Sequence, residues 1–208
     1  MSDFIEVSAG KISLSLRRPV FGVGINDADY ITQRKINEKV VTCPYYKRWQ
    51  GMLKRCYSDD LLLLRPTYKG CTVCEEWLTF SNFKEWMKKQ KWEGMELDKD
   101  IINPGNKFYS PESCRFVTQA LNSLLTDGTA SRGLYPQGVC YHKKNRKYRA
   151  KVSINGKDKH IGNYSTPEAA GVAYIQYKAK IILQASTEQS DPLIAKGLRM
   201  HAKLLVNR

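Results

Sequence analysis

No stretch of the chain approaches the roughly 20 consecutive apolar residues that a membrane-spanning helix needs. The leucine run Leu61 to Leu64 stops after four residues. The first residues, Met1-Ser2-Asp3-Phe4, lack a basic region followed by a long apolar run, so no secretory leader is expected and a soluble cytoplasmic chain is. Acidic residues are scarce beside basic ones, 20 against 34. The resulting net charge of +14 and pI near 9.5 favour a polyanionic partner, most often nucleic acid. Gly22-Val-Gly24-Ile-Asn26-Asp27 lacks the third glycine and the strand–helix setting of a nucleotide loop, and reads as a turn.

Apolar and aromatic residues are plentiful. At 42% hydrophobic and 11% aromatic, the 208 residues can build real cores, as one large domain or two small ones. Lys11 to Leu16 alternates and predicts a weak strand, within an arm or cap over residues 1–40. Pro44 is placed to start a helix over 44–58, with Tyr45, Trp49, Met52, Leu53 and Cys56 on one face. A second amphipathic helix is predicted over 75–90, with Trp77, Phe80, Phe83, Trp86 and Met87 as core candidates. Cys71-Thr-Val-Cys74, with Cys43 and Cys56 upstream, is a candidate structural zinc set. The 12 residues between Cys43 and Cys56 are not a standard ligand knuckle, and the alternative reading is buried thiols acting as small hydrophobes.

Residues 97–122 run LDKDIINPGNKFYSPESCRFVTQALN. Acidic residues end a short apolar segment, and a Pro-Gly-Asn turn and a Ser-Pro-Glu turn follow. Cys114 to Val117 is strand-like, and Thr118 is a candidate N-cap for a short helix carrying Asn122. Strand, loop, strand and helix can place Asp98 and Asn122 on either side of one divalent cation, since hard cations take carboxylate and amide oxygens. The stretch resembles the ββα-metal core of HNH nucleases, in particular the phage homing-endonuclease branch. The carrying residues are Asp98, Gly105-Asn106-Lys107, Phe116-Val117-Thr118 and Asn122, and the aromatic run from Tyr46 to Phe83 is similar to the leader before such cores. The resemblance implies Mg or Mn held by Asp98 and Asn122, and sets Lys99, Asp100 and Asn106 in the catalytic positions. This chain departs from the family at its general base, where Lys99 stands in place of histidine. Histidine ionises near about 6.5, whereas lysine starts near about 10.4 and is held charged by flanking Asp98 and Asp100.

Thr126 to Arg132 is small, polar and glycine-bearing, and reads as a linker over 127–133. Beyond it, Gly138 to His142 is a short strand, and Tyr148 to Ile154 alternates strictly. Asn155-Gly156 is a two-residue hairpin signal, and Lys157 to Tyr164 forms a third strand. Thr166-Pro167-Glu168 starts a helix to about Gln184, with Ala169, Ala170, Ala173, Tyr174, Tyr177 and Ile181 near one face. Residues 130–185 hold 11 Lys/Arg against two acids, which is +9 of the +14. Gly138-Val139, Tyr148 to Val152, Ile161-Gly162-x-Tyr164, Thr166-x-Glu168-Ala169-Ala170 and Ala173-Tyr174 resemble the plant Apetala-type ethylene-response-factor domain, which implies a sheet lying in the DNA major groove.

Period two turns Tyr148, Ala150, Val152 and Ile154 toward the helix and Arg149, Lys151 and Ser153 outward, with His142 and His160 on the same outer face. Lys143, Lys144, Arg146 and Lys157 sit at turns suited to phosphate contact. Leu193, Leu198, Leu204 and Leu205 predict a terminal helix over 186–208, packing back or pairing with another chain.

The expected architecture is α+β: a ββα-metal (HNH-like) domain with flanking helices over 41–126, and a three-stranded antiparallel sheet packed on one helix over 134–185. The expected function is sequence-specific binding of double-stranded DNA, with divalent-metal-dependent nicking or cleavage. The missing histidine leaves two alternatives open, an inactive DNA-binding regulator or blocker, and an inhibitor of a host nucleic-acid enzyme.

Overall fold

The computed structural model describes residues 4–126 and 133–207. The expected linker lies outside the described residues except for Gly133. The fold is mixed α+β with several small sheets, and none of its described helices is long and apolar enough to cross a membrane. Two compact units are present. The first comprises residues up to Glu93 and Asn106–Phe116; the second comprises Gly94–Gly105 and residues from Val117 onward.

In the first unit, Lys11–Ser15 is a short helix, α1, instead of the expected strand. None of its residues is buried, and among the described residues no strand pairs with it, so local bonds such as Leu14 N–H to Gly10 O win. The hairpin β1 (Gln33–Ile36) and β2 (Lys39–Thr42) turns on Asn37 and Glu38, both at positive φ. Arg17 donates to the carbonyls of Asn26, Ala28 and Tyr30, tying this arm together.

Helix α2 (Pro44–Tyr57) buries Tyr46, Trp49, Met52, Leu53 and Cys56. Tyr45 is only half-buried and packs on Trp92. After α3 (Asp59–Leu64) and the short β3 (Thr72–Val73), the helix expected over 75–90 is interrupted. A 3-10 turn covers Glu75–Leu78, Thr79 is extended, and α4 runs Phe80–Lys88. Ile25 causes the break. Its N–H donates to Leu78 O and its carbonyl accepts from Phe80 N–H, so the chain opens at Thr79 to admit that bridge. Trp49, Trp77, Phe80, Phe83 and Met87 fill the core, and Trp49 Nε1–H donates to Trp77 O at 2.6 Å. β3 pairs in parallel with β5 (Phe108–Tyr109).

In the second unit, β4 (Met95–Asp98) pairs with β6 (Arg115–Thr118), whose last two residues belong to this unit. α5 (Gln119–Leu125) follows, with the Thr118 hydroxyl accepting from Leu121 N–H at 3.2 Å as its N-cap. The antiparallel sheet β7 (Val139–His142), β8 (Lys147–Ile154) and β9 (Lys157–Tyr164) is ordered 7-8-9 and packs on α6 (Pro167–Thr187). Asn155 and Gly156 both take positive φ at the β8–β9 turn, as a two-residue hairpin requires. Gly138 permits the closest approach: a Cβ there would lie 2.1 Å from the Tyr174 ring. Ala150, Val152, Ala170 and Tyr174 form the core under the sheet, whereas Ala169, expected on that face, is exposed.

Helix α6 continues past the sheet and packs against α7 (Pro192–Val206), so the terminal helix folds back on its own chain. Ile194, Leu198 and Ala202 of α7 share one core with Ile101, Val117, Leu121 and Ile182, while Leu193 and Leu204 stay exposed. Gly197 lets α7 lie on backbone, since a Cβ there would come within 2.2 Å of Ile101 O.

Candidate functional site

Pairing partners across an antiparallel sheet lie on one face. Cys140 and Asn163 stand opposite Arg149, His142 stands opposite Lys147, His160 opposite Lys151, and Asp158 opposite Ser153. The surface turned away from α6 therefore carries His142, Arg149, Lys151, Ser153 and His160, as period two predicted, together with Lys147, Asp158 and Asn163. Lys143 and Lys144 form an exposed 3-10 turn between β7 and β8, and Arg146 closes it in the left-handed region at φ 48°. Lys157 opens β9 directly after the hairpin turn and is exposed.

Two of these groups have buried atoms without a partner. Arg149 Nε and His142 Nδ1 are shielded from solvent and make no hydrogen bond among the described residues. Such groups are uncommon in folded proteins. Lys151 differs, since its ammonium meets the Asp158 carboxylate at 2.7 Å, and that bond raises its pKa. Lys178, counted within the basic cluster, is buried; its Nζ lies 3.4 Å from Thr126 O, past the end of α5, and contributes nothing to an outer face. Cation placement near the last carbonyls of a helix is favourable. Ser153 also borders a groove of about 1100 Å³ between α5, the β8–β9 turn and α6, floored by Leu121, Leu124, Tyr177 and Ile181.

The acidic turn after β4 has the opposite character. Asp98 is buried, and its Oδ1 accepts from Asp100 N–H and Ile101 N–H, both at 2.8 Å. Burial, and then the neighbouring Asp100 carboxylate, push Asp98 up to about 6. Lys99 is buried as well, with Nζ 3.3 Å from Asp100 Oδ2. An ammonium held in an ion pair has no lone pair with which to accept a proton. α5, which carries the half-buried Asn122, packs against β4. Asn106 belongs to the first unit; its Nδ2–H donates to Phe108 O at 2.7 Å and its Oδ1 accepts from Phe108 N–H at 3.2 Å, an arrangement that sets the start of β5.

Sequence reasoning passed over His201. From α7 its Nε2 reaches Asp100 O at 3.0 Å, which places a proton on that nitrogen. No local pattern signals a contact spanning 101 residues. Asn163 was also passed over, because strict period two from His160 assigns it to the inner face.

The cysteines proposed for zinc are all buried. Cys43 Sγ lies 3.4 Å from the Tyr30 hydroxyl, and burial pushes the Cys74 thiol up to about 11. Among the described residues, no three of His, Cys, Asp and Glu group closely enough to hold a metal ion. Comparison with protein-family models, with curated proteins and with solved structures finds no match to this chain.

Proposed function

We propose that this chain is a phage-type, sequence-specific DNA-binding protein of homing-endonuclease descent that grips duplex DNA with the outer face of β7, β8 and β9. The observation that carries the reading is the composition of that face. Arg149, Lys151, His142 and His160 share it by register, and Lys143, Lys144, Arg146 and Lys157 fringe it, while the helix covers the other side. A two- or three-stranded ribbon of this size suits the major groove. The turn lysines meet phosphates and hold the protein on the duplex, and the central strand meets base edges. Full-length protein should bind duplex DNA with an affinity that falls steeply with salt, at a slope of about −0.9 per neutralised phosphate. An affinity independent of salt would remove the reading.

A second reading rests on the acidic turn. We propose β4, β6 and α5 as a ββα-metal unit in which Asp98, with Asn122 from α5, holds Mg or Mn. A carboxylate raised by burial, and then by a second carboxylate beside it, is the donor environment that a hard cation relieves, and this supports the reading. A bound divalent ion there would neutralise charge on a leaving oxygen. Lys99 stays paired with Asp100 and serves the turn as a fixed cation, not as a base. That pairing favours a chain that binds without efficient cutting, a regulator or blocker. Incubation with duplex DNA, with and without Mg or Mn, followed by nick mapping, separates the two: metal-dependent nicks establish the nuclease, and binding without nicks establishes the blocker.

A further inference from the structure

We propose that Asn163 reads a base, and that it acts with Arg149 as one recognition element for two neighbouring base pairs, a guanine met by Arg149 and an adenine met by Asn163. The proposal rests on the reading of the outer sheet face as the DNA-binding surface. Counting from the Asn155-Gly156 turn, Lys157 pairs with Ile154, Asp158 with Ser153 and His160 with Lys151. Strict alternation from His160 would send Asn163, three residues on, to the helix side. The register shifts between Ala150 and Lys151, so that Gly162 stands opposite Ala150 and Asn163 opposite Arg149. Ile161, left without a partner by the shift, joins the core under the sheet. A bulge of this kind re-aims the side chains beyond it. Here it returns Asn163 to the outer face, exposed, beside the one arginine of the central strand.

The chemistry of that rung sets it apart from the others. Asn163 makes no side-chain hydrogen bond among the described residues, and Arg149 Nε is buried without a partner. On the next outward rungs Lys151 is already bonded to Asp158, which stands opposite Ser153. On the other flank of Arg149 stands Cys140, a small side chain. Opposed residues in an antiparallel pair lie about 4.5–5.5 Å apart at Cα, close to the step of about 3.4 Å between bases on one strand. Guanidinium groups bond guanine O6 and N7 in the major groove, and carboxamides bond adenine N6 and N7. One rung thus offers the donors and acceptors for a two-base step.

The test uses the full chain in chelator, so that no cutting intervenes, with a duplex library randomised over a central block and sequencing of the bound fraction. Wild-type protein is expected to enrich neighbouring G and A. Asn163→Ala should lose about ten-fold preference at the adenine position alone, Arg149→Ala a similar preference at the guanine. Asn163→Asp should move the preference at its position from adenine to cytosine, whose N4 amino group donates to a carboxylate. A switch of this kind comes only from a folded protein. If both Asn163 variants keep the wild-type preference at every position while Arg149→Ala loses one, the pair is refuted and the sheet reading stands. If wild-type protein shows no preference and Arg149→Ala leaves affinity unchanged, the sheet reading fails and the pair with it.

Discussion

Lys99 and Lys151 each meet an aspartate, at 3.3 Å from Asp100 and at 2.7 Å from Asp158. Their surroundings differ. The Lys99 side chain is 7% exposed and that of Lys151 is 45% exposed. In the turn after β4 the lysine is buried beside Asp98, whose carboxyl burial pushes up to about 6, and its partner Asp100 is half-exposed at 41%. On the sheet the same pairing sits in water, where such pairs are worth about 0–1 kcal/mol and yield readily to a competing phosphate or base. Identical residue types therefore have separate uses: exposed cations are available to a polyanion, and enclosed ones are spent on the fold.

Several substitutions would break or sharpen this contrast. The largest effect is expected from the core that supports the acidic turn. Leu198→Ala in α7 removes a fully buried side chain from the cluster containing Ile101, and should cost about 2–5 kcal/mol in denaturant unfolding. A loss below about 1 kcal/mol would show that α7 does not hold the turn.

Next comes the enclosed carboxylate. Asp98 titrates higher in the folded chain than its ordinary 3.8, so the folded state retains a proton that the unfolded state has lost. That contribution is complete below about pH 4 and disappears as pH rises through about 6. Asp98→Asn should flatten this window and gain up to about 3 kcal/mol at pH 8 relative to pH 4. Added Mg or Mn should stabilise the wild type at pH 8 and leave the variant unmoved. Equal metal responses in both proteins would dismiss Asp98 as a ligand.

The smallest effects are expected at the surface. Asp158→Ala should change stability by no more than about 1 kcal/mol. By freeing Lys151 it should strengthen duplex binding, measured by fluorescence anisotropy at fixed salt. Weakened binding would mean that the ion pair, not the lone lysine, is what DNA meets.

The legible parts of this fold were local. Strict alternation over Tyr148 to Ile154, the Asn155-Gly156 turn and the Thr166-Pro167-Glu168 start marked β8, β9 and α6, and the Thr118 cap marked α5. Features decided by distant partners were not legible. Thr79 breaks a helix because Ile25 inserts there, and nothing near Thr79 in sequence announces it. The β1–β2 turn uses Asn37-Glu38, which lacks the glycine that usually signals such a hairpin. Lys178 looked like part of a basic face, but helical rotation turns it inward to Thr126 O. His201 reaches Asp100 only because α7 folds back, and the bulge at Ile161 shifts Asn163 by half a period.

The central claim is that the outer sheet face reads DNA while its fringe grips the backbone. It is tested most directly by comparing Arg149→Ala with Lys143→Ala in the full chain, on matched and mismatched duplexes across a salt series. The account predicts that Arg149→Ala costs about 1–3 kcal/mol on the preferred duplex only. It predicts that Lys143→Ala weakens all duplexes alike and lowers the salt slope by about one. Identical, sequence-independent losses for both variants, or no loss for either, would contradict it.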